Sequence, residues 1–230
     1  GPDIFGTEQN HQHGAPLALS GDGLTFVAGS SGATAGSADV RAYAWNGTVW
    51  DQKGEDIYDH VSDQPYNNPG RISSVAISAD GSRIALGSYY GNYALVVEYD
   101  AASDKWEPLG NELHAADFQV TPYNGVSSLA LSGDGTRLAV GVFQTTSPTN
   151  ETGMHVFDYD AGTNQWGYKG NHIDLGDNGG INNWFGWEVA ISADGAVVAM
   201  GNRGNPGRVR TFEWGETDWV PRGGSDSLGA

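Results

Sequence analysis

Four stretches of this sequence set amide side chains beside rings. They read "TEQNHQHGAP" (7–16), "DHVSDQPYNNPGR" (59–71), "DFQVTPYNGV" (117–126) and "DNGGINNWFGW" (177–187). Asn10 stands beside His11 and His13, Tyr66 beside Asn67 and Asn68, and Tyr123 beside Asn124. Trp184, Phe185 and Trp187 follow Asn182 and Asn183. The flat face of an aromatic ring stacks on the apolar side of a sugar, and a neighbouring amide both donates to and accepts from its hydroxyls. That pairing is the composition of a carbohydrate site. Tyr66, Asn67, Asn68, Tyr123, Asn124, Asn183, Trp184 and Phe185 are the candidate ligand-binding residues. The competing reading makes the rings structural plugs and the Asn residues turn formers.

Other chemistry is thinner. His11 and His13 alternate, so in an extended segment both would face one side, but no Cys or further His stands near them to complete a metal site. No metal is therefore expected. His60, His114 and His172 read as solvated loop residues, and His155, inside a strand-like run, as packed or paired. Acidic residues gather at Glu55, Asp56, Asp59 and Asp63, at Glu112 and Asp117, and at Asp174 and Asp177. Paired carboxylates serve glycosidases or hold cations, yet these spread along an acidic chain and read as a solvated rim. No nucleophile elbow, phosphate loop, metalloprotease helix or dinucleotide fingerprint occurs. The expectation is no catalytic residue, a non-catalytic binding module as the leading function, and a hydrolase using the acidic loops as the weakest alternative.

Elements that would position these stretches come from a repeat. The phrase "SSVAISADGSRIALGS" (73–88) recurs as "APLALSGDGLTFVAGS", "SSLALSGDGTRLAVGV" and "WEVAISADGAVVAMGN". Asp22, Asp80, Asp134 and Asp194 mark it at steps of 58, 54 and 60 residues. A second mark keeps the same phase, a Trp with a Gly four residues on: Trp50/Gly54, Trp106/Gly110, Trp166/Gly170 and Trp219/Gly223. Self-similarity at such a period means an array of supersecondary units. Each unit reads as four short strands rich in β-branched and aromatic residues, with Asp-Gly and Asn/Asp turns between them. The first strand is bulky on one face (Val75, Ile77; Leu129, Leu131) and small on the other (Ala76; Ala130), as a sheet covered on both sides requires. The prediction is all-β: a four-bladed β-propeller, each blade a four-stranded antiparallel sheet. It is one domain over 1–230, with blades near 15–57, 73–113, 127–173 and 187–224, and the first strands lining the axis.

The phrase "[LI]-S-x-D-G-x-x-x-A-x-G" resembles the repeats of WD-like, TolB-like and FG-GAP-like propellers, most nearly the FG-GAP-like repeats of algal and marine microbial proteins. The resemblance covers nearly the whole chain and implies the propeller fold far more than a function. It does not extend to calcium: an integrin-type loop needs several spaced Asp or Asn oxygens, and "SGDG" and "SADG" offer one Asp each. "GPDI" at the start keeps the phase of "GEDI" (54–57) and "GNHI" (170–173). Four units in one register are expected to close a ring, to belong to a longer array, or to form half of a ring completed by a second chain.

Composition limits the partners. Among 230 residues, 28 acidic and 11 basic side chains give a net charge of −17. Phosphate neutralisation needs clustered Lys and Arg, so no nucleic-acid partner is expected. No apolar run reaches about 18 residues, so no helical membrane insertion is expected. The absence of Cys excludes disulfides and thiolate metal sites. The opening Gly-Pro resembles the remnant of a cleaved tag, so a signal peptide is expected to be missing from this sequence. The expected setting is extracellular or at the cell surface, in adhesion, with a polysaccharide, a glycoprotein or another protein as partner. A monomer is expected, with a dimer completing a larger ring as the alternative. No cofactor is expected beyond one ion or water in the axial channel. Asn46 and Asn150 open glycosylation sequons.

Overall fold

Period-2 apolar patterning, interrupted by Asp-Gly turns, gives the chain four antiparallel sheets on one plan. A computed structural model describes residues 3–5, 13–30, 40–57, 72–89, 91–114, 117–118, 125–142, 152–174, 185–203 and 207–223. The first sheet runs β1 (His13–Leu19), β2 (Thr25–Ser30), β3 (Arg41–Trp45) and β4 (Trp50–Gln52). The second runs β5 (Ser74–Ile77), β6 (Arg83–Ser88), β7 (Tyr93–Asp100) and β8 (Lys105–Pro108), with β9 (Leu113–His114) extending the β8 edge of β7. The third holds β10 (Val126–Leu131), β11 (Arg137–Val142), β12 (Gly153–Asp160) and β13 (Gln165–Tyr168). The fourth holds β14 (Phe185–Ile191), β15 (Val197–Asn202), β16 (Val209–Trp214) and β17 (Trp219–Arg222). In every sheet the four main strands lie side by side in sequence order, and the described residues contain no helix. This is an all-β, four-bladed propeller-like arrangement.

The repeat has a register. Trp50, Trp106, Trp166 and Trp219 pair across their hairpins with Trp45, Tyr99, Tyr159 and Trp214. The sheets stack in series, first on second, second on third, third on fourth. The alanines of the first strands lie in these interfaces. The small face of the first sheet (Ala18, Val27, Ala42) receives the bulky face of the second (Val75, Ile84, Leu86, Val97). The small face of the second (Ala76, Ala85, Val96) receives Leu129, Leu138, Val140 and Phe157 of the third. Ala130, Ala139 and Val156 receive Val189, Val198, Met200 and Phe212 of the fourth. A small face lets the next sheet approach closely, and the bulky side chains fill the gap at interior density.

Each interface is also pinned by polar groups. The Trp106 indole N–H donates to Lys53 O (2.8 Å), Trp166 to Leu109 O (2.7 Å) and Trp219 to Lys169 O (2.7 Å). At the Asp-Gly turns the Ala79 N–H donates to Gly133 O and the Gly133 N–H to Ala193 O, both at 2.8 Å. A buried Trp needs such an acceptor, and the carbonyl before the strand-four Gly supplies it each time.

Candidate ligand face

Strand direction decides what the loops share. First and third strands start, and second and fourth strands end, at one end of the stack. Segments 58–71, 119–124 and 175–184, and segments 31–39, 143–151 and 204–206, all join the sheets at that end. Their roots are tied together. The Ser73 hydroxyl donates to Val126 O (2.8 Å) in the next sheet, and the Ser127 hydroxyl donates likewise to Gly186 O. Of the candidate ligand residues, Tyr66, Asn67, Asn68, Tyr123, Asn124, Asn183 and Trp184 lie outside the described residues. Phe185 opens β14, where its backbone pairs with Asn202. Trp187, two residues on, is half-buried, with the Arg203 guanidinium 5.1 Å from its ring centroid. His11 lies outside the described residues, and the His13 backbone pairs with Ser30.

Two histidines pack together at this end, and of these His172 departs from the solvated-loop reading. His155 is buried, as its place in a strand suggests, and its Nε2–H donates to Phe118 O at 3.0 Å, since a carbonyl can only accept. The His172 ring stacks on it with centroids 4.4 Å apart. Burial pushes the His155 imidazole down to about 3, helped by His172. His172 is depressed in the same way, against a weaker upward pull from Asp174. Tyr168 stacks on Phe157 and donates its hydroxyl to Asp117 O. This cluster closes the side of the third sheet as packing. Glu112 sits close by, its carboxyl pushed up by burial and drawn back by His114, whose Nε2 is 3.8 Å away. His114 itself lies in β9, with its backbone N–H on Asp117. Among the described residues no three His, Asp or Glu side chains converge to hold a metal ion.

Sequence reasoning missed the short return segment after the fourth strand of the first three sheets. Ile57, Leu113 and Ile173, three residues after Gly54, Gly110 and Gly170, are all buried; Leu113 and Ile173 bond back to the third strand of their own sheet, and Ile57 to Val40 just before it. The signal was present in "GEDI", "GNEL" and "GNHI", which mark where the loops leave the sheet.

The opposite end is occupied by the Asp-Gly turns. Asp22 accepts from the Ser20 hydroxyl (2.6 Å) and the Leu24 N–H (2.8 Å). Asp80, Asp134 and Asp194 repeat the pattern with Ser78, Ser132 and Ser192. The Ser20 and Leu24 donors hold the Asp22 carboxyl below the usual carboxylate range. Partial burial pulls Asp80 and Asp134 upward, but the turn's hydroxyl and N–H donors outweigh it and leave both depressed. One carboxylate per turn, committed to its own turn, is a fold device and not a calcium loop.

No family model matches this sequence, and no curated protein matches it. Solved structures do resemble it. Hydrazine synthase of Kuenenia stuttgartiensis aligns with a TM-score of 0.56 at 15% identity, over 95% of this chain and 51% of that one. A putative 6-phosphogluconolactonase from Bacteroides fragilis NCTC 9343 aligns with a TM-score of 0.56 at 14% identity, over 96% of this chain and 56% of that one. Both are propeller-like. The chain spans about half the length of each, and at such identity the likeness concerns the fold alone.

Proposed function

We propose that this chain is a binding module that recognises carbohydrate, or the glycan of a glycoprotein, through the loops at the end of the sheets where the first strands begin. The observation that carries this reading is topological. Every Asn-and-ring stretch joins the sheets at that one end, while the carboxylates at the other end are consumed by their own turns. Ser73 and Ser127 hold neighbouring loop roots side by side, which supports a ligand face shared between separate loops. Propellers commonly use loops in this way, and the scaffold supplies rigidity. The corresponding setting is the cell surface or outside the cell. The propeller repeats of the FG-GAP-like and WD-like kind are the finer relationship we propose for the fold.

Each ring that stacks on a sugar contributes on the order of 1 kcal/mol beyond area burial. Trp184→Ala is therefore expected to weaken glycan binding about fivefold or more with little change in stability. The check is a glycan array on the intact chain, followed by titration calorimetry of the best ligand with Trp184→Ala and Tyr66→Ala. Unchanged affinity in both variants, or binding to no glycan, leaves the rings as plugs. A protein-interaction scaffold is then the better reading.

A further inference from the structure

The stack has two ends, and each is half of the same interface. Among the described residues the first and fourth sheets form no packed interface of the kind that joins the others. The bulky face of the first sheet is Leu17, Leu19, Phe26, Trp45 and Trp50, beside the buried Tyr43 and the Asp56-paired Arg41, on the register that elsewhere meets a preceding sheet. Leu17 and Leu19 are 62% and 60% exposed, whereas Val75 and Leu129, in the place of Leu17, are 7% and 6% exposed. The small face of the fourth sheet carries Ala190, Ala199, Thr211 and Val209. Val209 is 63% exposed, whereas Met154 and Ala94, in its place, are fully buried. End units of a repeat array ordinarily carry a polar outer face. These two keep exposed apolar residues at Leu17, Leu19 and Val209, with Arg41 and Thr211 as polar exceptions to the interior pattern.

The details fit each other. At three interfaces a Trp indole N–H finds the carbonyl before a strand-four Gly; the series leaves Trp50 as donor and Arg222 O, which accepts from the Thr211 hydroxyl and has a second lone pair, as acceptor. A Cβ on Gly54, Gly110 or Gly170 would come within 2.7–3.1 Å of the next sheet's Trp, but one on Gly223 would meet nothing within 4 Å. Likewise Gly81 faces Thr25, Gly135 faces Arg83 and Gly195 faces Arg137, while Gly23 faces nothing. Gly87 and Gly141 receive Leu129 and Val189, and Gly201, their equivalent, stands open. Lys53 lies over Tyr99 and Trp106 and Lys169 over Trp214; Arg222 is the next in that series, with Trp45 and Trp50 as its counterparts. The turn-to-turn ladder runs Ala79 N–H to Gly133 O and Gly133 N–H to Ala193 O, so the Ala193 N–H is the next donor in the series and Gly21 O the equivalent acceptor in the first sheet.

We propose that a second copy of this chain docks here, bulky first face on small fourth face, and that two such contacts close an eight-bladed ring. The fit of each vacancy to a group at the other end of the same chain identifies the occupant. Two copies give eight blades, within the usual four to eight, and three would exceed it. The contact is head-to-tail, and the two-fold axis closes it. In the ring Leu17 sits against the partner's Gly201, the Trp50 indole donates to the partner's Arg222 O, and the Arg222 guanidinium lies over the partner's Trp45. This inference is independent of the glycan reading.

Sedimentation velocity over a concentration series tests it. The expected result is a reversible species at twice the 24.3 kDa chain mass and nothing larger. Leu17→Glu and Gly201→Leu are each expected to leave only monomer. Gly201 has room for a side chain in the single chain, its nearest neighbours being 3.9 Å from a Cβ, so circular dichroism and thermal unfolding should match those of the monomeric wild type. Trp50→Phe keeps the ring and deletes the donor, and should weaken the dimer about two- to tenfold. A wild-type chain that stays monomeric to its solubility limit overturns the proposal. So does an open-ended ladder of species, or a dimer that survives both Leu17→Glu and Gly201→Leu.

Discussion

At the residue scale, burial strips water from the His155 imidazole, and the stacked ring of His172 supplies no compensating charge. The same imidazole titrates near pH 6.5 in an unfolded chain. Above about pH 6.5 it is neutral in both states and costs nothing. As the pH falls from there toward about 3, the unfolded chain takes up a proton that the folded one refuses, and stability is lost by up to roughly 1.4 kcal/mol per pH unit. His172 is depressed in the same direction. The turn carboxylates act lower: their folded pKa values are depressed, so their contribution is full above about pH 4 and is lost on further acidification. Urea unfolding at pH 7, 6, 5 and 4 should therefore show a decline beginning near pH 6.5. His155→Phe should flatten the part between pH 6 and 5, whatever it does to stability at pH 7. An unchanged slope would mean that the histidine is protonated in the folded protein.

At the scale of the element, the Trp and the Gly of successive fourth strands form one joint. Gly110 has a φ of +80°, and an ideal Cβ there lies 2.7 Å from Cδ1 of Trp166. Gly47 has a φ of +97°, with nothing within 4 Å. Gly47→Ala thus meets backbone strain alone, about 1–2 kcal/mol. Gly110→Ala meets that strain and an overpacked indole, and should cost about 1–3 kcal/mol more. Trp106→Ala removes a buried ring and its bond to Lys53 O, at a cost of about 3–5 kcal/mol. Denaturant midpoints of the three variants check the order. Equal losses for the two glycines would mean that the Trp gives way freely and that the joint is not rigid.

For the whole molecule, charge and assembly are coupled. Each chain carries −17, so two copies repel one another at long range. Screening shortens that repulsion, and the contact proposed above is chiefly apolar, through Leu17, Leu19 and Val209. The dimer is expected to tighten as salt rises from about 0.01 M to about 0.5 M, the reverse of a complex in which the acidic rim holds a basic partner. Sedimentation across that range distinguishes the two, because a dimer that dissociates with added salt rests on ion pairs and not on Leu17 and Val209.

The chain's own residues determined the four sheets, the equivalence of Trp50, Trp106, Trp166 and Trp219, and the structural role of Asp22, Asp80, Asp134 and Asp194. Strand alternation, Asp-Gly turn chemistry and a recurring Trp act over fewer than ten residues, so a repeated phrase implies a repeated hairpin. The burial of His155 was legible from its place in a strand. That of His172 was not, because its partner ring lies on another strand. The short β9 and the buried Ile57, Leu113 and Ile173 show in the sequence only as a faint Gly-x-x-Ile/Leu recurrence. For the candidate site, local pattern picks out Tyr66, Tyr123 and Trp184, and strand direction shows that their loops leave one end together. Only the tertiary structure decided that the alanine face of each of the first three sheets meets the bulky face of the next, and that among the described residues the first and fourth sheets form no packed interface. Closure depends on small angles between sheets, added over three interfaces and set by side-chain packing, and no local phrase of the sequence carries that sum.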